Sequence, residues 1–203
     1  MKTGKPTWWD DAFTALSQDE ILGAVVRSYP NESLNGRGDL FSTLIRSIVG
    51  QQISVIAADA VWGRLVECIG EVTPDAIRAH SPEELASCGL SRPKSSYIYG
   101  LALESKALLL QDWNGHTDEE LLKHFTQFRG VGPWTAEMIL IFTLMRPDVF
   151  SIGDISLIRA VQQLVPEADT KEKVLQISTR WAPYRTAACW YLWRMLDPVP
   201  VEY

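Results

Sequence analysis

The chain has little of what builds metal sites, membrane spans or β-sheets. Its 203 residues hold three cysteines (Cys68, Cys88, Cys189) and three histidines (His80, His116, His124). The cysteines are odd in number, far apart and without a CxxC pair, and the histidines lack metal-ligand spacing. An iron–sulfur cluster is not expected, and the thiols read as reduced and buried. No apolar run approaches the ~18 residues of a membrane helix. Met1 to Asp11 is polar with two tryptophans, so a signal peptide is not expected either. Basic residues are outnumbered, 19 Lys and Arg against 25 Asp and Glu, for a net charge of −6. Such a balance does not advertise nucleic-acid binding. It leaves a local basic face or backbone amides as ways to hold a phosphate.

Sustained β alternation is also missing. Two Asn-Gly pairs, Asn35-Gly36 and Asn114-Gly115, are not flanked by alternating strands and read as helix-to-helix turns. What is present is helical period and a large apolar share, 46% of residues, ample for a real core. Over 38–50, Phe41, Leu44, Ile45, Ile48 and Val49 fall on one helical face. A second stripe over 53–69 carries Ile53, Ile56, Ala57, Ala60, Val61 and Leu65. Helix starts are signalled at Thr73-Pro74, at Ser81-Pro82 with Glu84, at Thr117 with Glu120, and at Asp169 with Glu172. Residues 134–145 are apolar nearly all round, which predicts a central buried helix fed by a turn anchored on Phe128 and Val131. A last helix is expected over about 183–196, with Trp190, Tyr191 and Trp193. The expectation is an all-α chain of about ten helices, folded as a two-lobed helical body.

Two features carry chemistry. In Gly130-Val-Gly-Pro-Trp-Thr-Ala-Glu137, two glycines two apart open directly into a helix, leaving backbone N–H groups free to meet a phosphate. Twenty residues after Trp134 stands Asp154, in Ser151-Ile152-Gly153-Asp154. As a lone carboxylate it can serve a reaction; it suits equally an N-cap for the segment Ile155–Val161.

These residues resemble the helix-hairpin-helix (HhH-GPD) DNA glycosylases, in the alkylbase branch represented by 3-methyladenine DNA glycosylase II. The resemblance rests on Phe128-Arg129-Gly130-Val131-Gly132-Pro133-Trp134-Thr135-Ala136 followed by Asp154. Upstream it includes Phe41-x-x-Leu44-x-x-x-Ile48-Val49-Gly50-Gln51-Gln52-Ile53-Ser54 and Gly89-Leu90-Ser91-x-x-Lys94. Downstream it takes in Trp181-x-Pro183-Tyr184-Arg185 and Trp193, so it covers roughly residues 38–197. It implies a two-lobed glycosylase fold with the active-site cleft between lobes. The bacterial enzyme of that branch carries an additional N-terminal α/β domain, whereas about 37 residues precede the shared core here. The divisions expected are 1–37, helices packing with the C-terminal lobe; 38–111, a central lobe with the wedge loop; and 112–203, carrying the hairpin, the aspartate and the last helix.

The resemblance also assigns roles. Asp154 is the catalytic carboxylate, facing the positive charge that builds on the deoxyribose. Trp134, Trp193 and Met138 form the slot for the flipped base, where a cationic alkylated base stacks on indole; core packing is the other reading for any tryptophan. Gln51, Gln52 and Ile53 lie at a wedge loop, with Gln52 as the plug or simply part of a polar turn capped by Ser54. Gly130, Gly132 and Thr135 offer amides to the DNA backbone, with Arg92, Lys94 and Arg129 adding charge. Glycosylases with lyase activity place a lysine in the hairpin; here that position is Trp134, and no lysine occurs between Lys123 and Lys171. Relatives hold a monovalent cation on hairpin carbonyls, here those of Thr126, Phe128 and Val131. A sodium or potassium ion is allowed there without being required, and no cofactor is needed. The implied protein is a monomeric, monofunctional glycosylase acting on damaged double-stranded DNA, cytoplasmic and nucleoid-associated or, in a eukaryote, nuclear. Excision of an oxidised purine, hypoxanthine or uracil, and non-catalytic DNA binding, are the alternatives.

Overall fold

A computed structural model describes residues 3–109 and 112–197. Gln111, where the expected central lobe ends, and 198–203 of the expected C-terminal lobe lie outside these residues. The described residues form thirteen α-helices, one 3-10 turn and a two-stranded ribbon. Several helices are only four to six residues long, too short to show an apolar period, and that is why the sequence suggested about ten. Numbered in chain order, strand β1 is Thr3–Gly4 and β2 is Gly36–Arg37, paired antiparallel. The Asn35-Gly36 pair therefore leads into a strand rather than joining two helices.

Two compact units divide the chain. One is Asp39–Ile139; the other joins the described residues up to Gly38 with those from Leu140 onward. Residues 112–139 thus belong with 39–109, not with the C-terminal segment as expected. The physical reason is packing within that unit. The His124 ring lies 3.0 Å from the Leu108 carbonyl, and the Gln51 side-chain amide donates to the Gly130 carbonyl at 3.0 Å.

In the first of these units, α3 (Leu40–Gly50) starts at its N-cap Asp39 and buries Phe41, Leu44, Ile45, Ile48 and Val49. Ser54 caps α4 (Val55–Ile69) through the Ala57 amide. Of the stripe expected on α4, Leu65 alone is buried; Ile56 is 84% exposed. Two short helices, α5 (Pro74–Arg78) and α6 (Pro82–Ser87), pack on α7 (Arg92–Leu103). Thr73, Ser81 and Ser91 cap them, and Ser81 with Glu84 completes a capping box. After α8 (Ser105–Leu108), a second capping box of Thr117 and Glu120 opens α9 (Asp118–Thr126). The apolar α10 follows as Pro133–Phe142, ending three residues earlier than predicted. The chain then turns through Met145 at φ +50°, whose carbonyl accepts the Trp8 indole N–H at 2.9 Å.

In the second unit, α13 (Arg185–Leu196) is the core, with Ala187 through Trp193 all buried. Against it pack α1 (Trp9–Leu16), α2 (Gly23–Arg27) and α11 (Ile155–Leu164). Trp9 meets Trp190 edge-on at 5.3 Å. The start of α12 (Lys171–Ser178) is capped by Thr170 rather than Asp169, which instead pairs with Lys173 at 2.8 Å. Asp19 ties the Ile21 and Leu22 amides to the Trp181 indole. Burial would raise its carboxyl, but those three hydrogen bonds and the Arg180 charge outweigh it and hold the group below the ordinary carboxylate range.

Candidate nucleic-acid interface and catalytic carboxylate

The turn between α9 and α10 is built on glycine for two different reasons. Gly130 has φ +90°, and a Cβ there would sit 2.5 Å from the Tyr97 ring of α7. Gly132 has neither constraint: a Cβ would meet nothing within 4 Å, and the residue is exposed. The Ala136 amide bonds to the Gly132 carbonyl at 3.0 Å, so the helical hydrogen bonds of α10 begin there. The missing side chain at 132 leaves bare backbone facing outward at a helix N-terminus, where an anion is favoured. Thr135, expected to offer its amide to a phosphate, is 1% exposed as a whole residue, so in this structure it is buried, backbone included. Arg129 is exposed with its guanidinium 5.4 Å from the Tyr97 ring centroid, and Arg92 is exposed at the start of α7.

The turn 51–54, between α3 and α4, lies in the same unit. Gln52 is exposed with φ +59°, a left-handed conformation that residues other than glycine seldom adopt. Ile53, Val55 and Ile56 are exposed at 40%, 38% and 84%. These aliphatic side chains and Gln52 form the outward part of the turn.

Two expected DNA contacts face inward instead. The Gln51 Nε2 donates to the Gly130 carbonyl at 3.0 Å and to Thr135 Oγ1 at 2.9 Å. Lys94 is half-buried, and its Nζ donates to the Val49 and Gln51 carbonyls at 2.8 and 2.7 Å. Those are carbonyls at the C-terminal end of α3, which a cation satisfies well. Burial lowers the Lys94 pKa from the usual lysine value. Neither partner is near in sequence, so spacing carried no signal for either bond.

Asp154 sits in the other unit. It is 7% exposed and caps α11, Oδ1 accepting from the Ser156 amide at 2.7 Å and the Leu157 amide at 3.3 Å. The cap reading of the sequence is thus realised, and it fixes the carboxylate in one orientation. Of the three expected base-pocket residues, Trp134 is partly exposed. Trp193 is 4% exposed and stacks on Phe142 with centroids 5.8 Å apart, and Met138 has no exposed surface. Met138 and Trp193 are thus buried as core residues are, and of the three Trp134 is the one with exposed surface.

The hairpin carbonyls of Thr126, Phe128 and Val131 are neutral oxygen donors of the kind that suits a hard monovalent cation. The Phe128 oxygen already accepts the Val131 amide at 3.1 Å, which leaves it one lone pair. Among the described residues, no group of three or more His, Cys, Asp or Glu side chains is placed to hold a metal, and no helix is long and apolar enough to cross a membrane.

Residues 45–183 match the model of the HhH-GPD superfamily base excision DNA repair protein. DNA-3-methyladenine glycosylase 1 of Schizosaccharomyces pombe is 35% identical over 205 residues, 91% of this chain and 90% of that protein. The DNA-3-methyladenine glycosylase of Bacillus subtilis is 30% identical over 88% of this chain and 64% of its own length. The solved structure of the S. pombe 3-methyladenine glycosylase in complex with abasic DNA superposes with a TM-score of 0.81 at 32% identity, covering 95% of this chain and all of that one.

Proposed function

This chain belongs to the HhH-GPD superfamily of base excision DNA repair proteins, and we propose that it is a monofunctional DNA glycosylase releasing alkylated purines of the 3-methyladenine and 7-methylguanine type. The activity is base excision repair of alkylated bases, leaving an abasic site. The observation that carries the mechanism is the buried carboxylate of Asp154, held by two backbone amides at the head of α11.

Breaking the N-glycosidic bond moves an electron pair onto the departing base and leaves oxocarbenium character on the sugar. A fixed carboxylate stabilises that charge without reorganising, and orients or deprotonates the attacking water. An alkylated base already carries positive charge, so it leaves without a dedicated general acid. The same charge favours stacking on the Trp134 indole, a contact worth about 0.5–2 kcal/mol. The backbone at Gly130 and Gly132 holds a DNA phosphate, while Gln52 and Ile53 fill the gap left in the base stack. Where a lyase would use lysine, this chain has Trp134, so water is the nucleophile and strand scission is not part of the reaction. A sodium or potassium ion on the Thr126, Phe128 and Val131 carbonyls would add positive charge beside that phosphate. Replacing it by tetramethylammonium should then weaken duplex binding at constant ionic strength. The protein acts as a monomer, in the compartment that holds the DNA.

The deciding experiment is an excision panel on duplexes holding 3-methyladenine, 7-methylguanine, hypoxanthine, 8-oxoguanine or uracil. Release of the two methylated purines is expected, with no borohydride-trapped adduct. Release of 8-oxoguanine or uracil alone would sink the reading.

A further inference from the structure

Gln51 spends both protons of its amide on the hairpin, one on the Gly130 carbonyl and one on Thr135 Oγ1. Its own backbone is the last turn of α3 and the first of the loop bearing Gln52 and Ile53. Lys94 clamps that backbone from the other side, donating to the carbonyls of Gln51 and Val49. The α3–α4 turn and the hairpin are 79 to 84 residues apart in sequence and are joined here through one side chain. Nothing about the fold requires a polar strut at this point, since a buried apolar pair would hold two loops together as well. A carboxamide does what an apolar contact cannot: it fixes direction and distance at two acceptors together.

We propose that Gln51 is a positioning residue that couples the hairpin's hold on the DNA backbone to insertion of the 52–53 tip into the base stack. The coupling rests on the reading above that the hairpin grips phosphate and the tip enters the duplex. Gly130 supplies a gripping backbone and a Gln51 acceptor at once, so a phosphate seated on the turn sets where the tip points. Without the strut each loop binds alone, and seating the backbone no longer aims the tip.

The test compares wild type with Gln51→Leu, close in size but with no donor, and Thr135→Val, which removes one acceptor. The first readout is fluorescence of 2-aminopurine placed opposite a tetrahydrofuran abasic analogue, which reports tip insertion without any excision. Each lost hydrogen bond is worth up to about tenfold in an equilibrium constant, so Gln51→Leu should lower the insertion equilibrium by about 10-fold or more. Affinity for an undamaged duplex should stay within about twofold, since non-specific binding rests on phosphate contacts. Thr135→Val should give a smaller loss, and none when added to Gln51→Leu, because the two groups share one bond. The second readout is single-turnover release of 7-methylguanine, paired with cytosine or set in a single-base bulge. A defect large on the paired lesion and small on the bulged one is expected, because an unstacked base needs no tip. Equal losses on both substrates, or unchanged 2-aminopurine signals, would overturn the coupling. If wild type releases no base but the fluorescence result holds, the excision reading fails and the coupling stands. Should Gln51→Leu fail to fold, Thr135→Val carries the same comparison.

Discussion

Two helices of this protein carry the proposed roles, one in each unit, and they treat their N-termini in opposite ways. At the head of α11 the amides are already taken by the protein's own anion, Asp154, which is 7% exposed. At the head of α10 the residue is Gly132, exposed and with open space where a side chain would be. Both ends draw negative charge for the same electrostatic reason. The difference is ownership: one end holds the protein's own carboxylate, and the proposed function gives the other to a phosphate from outside. A net charge of −6 fits with DNA binding on the proposed terms, because a grip made of amides would need few basic side chains.

The sharpest way to break this contrast is Asp154→Asn, which keeps an N-cap but removes the charge. Single-turnover base release should fall by about 10²–10³-fold, the scale of losing a fixed transition-state contact, with lesion-duplex affinity in a gel shift largely kept. Excision at the wild-type rate would leave Asp154 as a cap and nothing more.

The two glycines of the hairpin offer the next test. Gly130→Ala forces a side chain into both a left-handed backbone and the Tyr97 ring, and should cost about 2–3 kcal/mol in urea unfolding. Gly132→Ala should change stability by less than about 0.5 kcal/mol yet weaken duplex binding, since the added methyl stands where a phosphate would approach. If both variants bind DNA normally, the open end of α10 is not the grip.

Lys94→Met separates charge on the interface from charge inside it. Stability should drop by about 1–3 kcal/mol as the α3 carbonyls lose their donor. The slope of log affinity against log salt should stay as it was, whereas a lysine on a phosphate would reduce it by about one unit.

The smallest effect expected is at Asp19, which has no part in the proposed reaction. Asp19 is depressed in the folded state, so its contribution to stability is present above the unfolded carboxylate value. It is lost as the pH falls through the folded one. Asp19→Asn should therefore flatten the fall in denaturation midpoint between about pH 5 and pH 2, a trend read directly from urea titrations. An unchanged acid profile would mean the Asp19 hydrogen bonds contribute nothing net.

How much of this was legible in the chain depended on range. The caps at Thr73, Ser81 and Thr117 were readable because a cap and its amide lie three residues apart. Gly130 and Asp154 were readable as a motif, and each has a local reason to be what it is. The ribbon at Gly36–Arg37 was not, since two residues have no alternation to show. Gln51 and Lys94 looked like parts of a DNA face because both are polar and sit in the right motifs. Their partners are 43 to 84 residues away, and only the fold brings them near. The burial of Met138 and Trp193 was not legible either, because an apolar residue beside a site and one beneath it have the same letter.

The left-handed backbone at Gln52 has a consequence for how this protein could change. Such a conformation in a residue with a Cβ costs about 1 kcal/mol or more, and glycine there would relieve it. Selection for thermal endurance alone should therefore drift toward glycine at 52, which erases the side chain that the proposed function places in the vacated stack. Selection for repair should hold glutamine and accept the weaker fold. Position 52 is thus a place where durability and DNA repair pull a single codon in opposite directions.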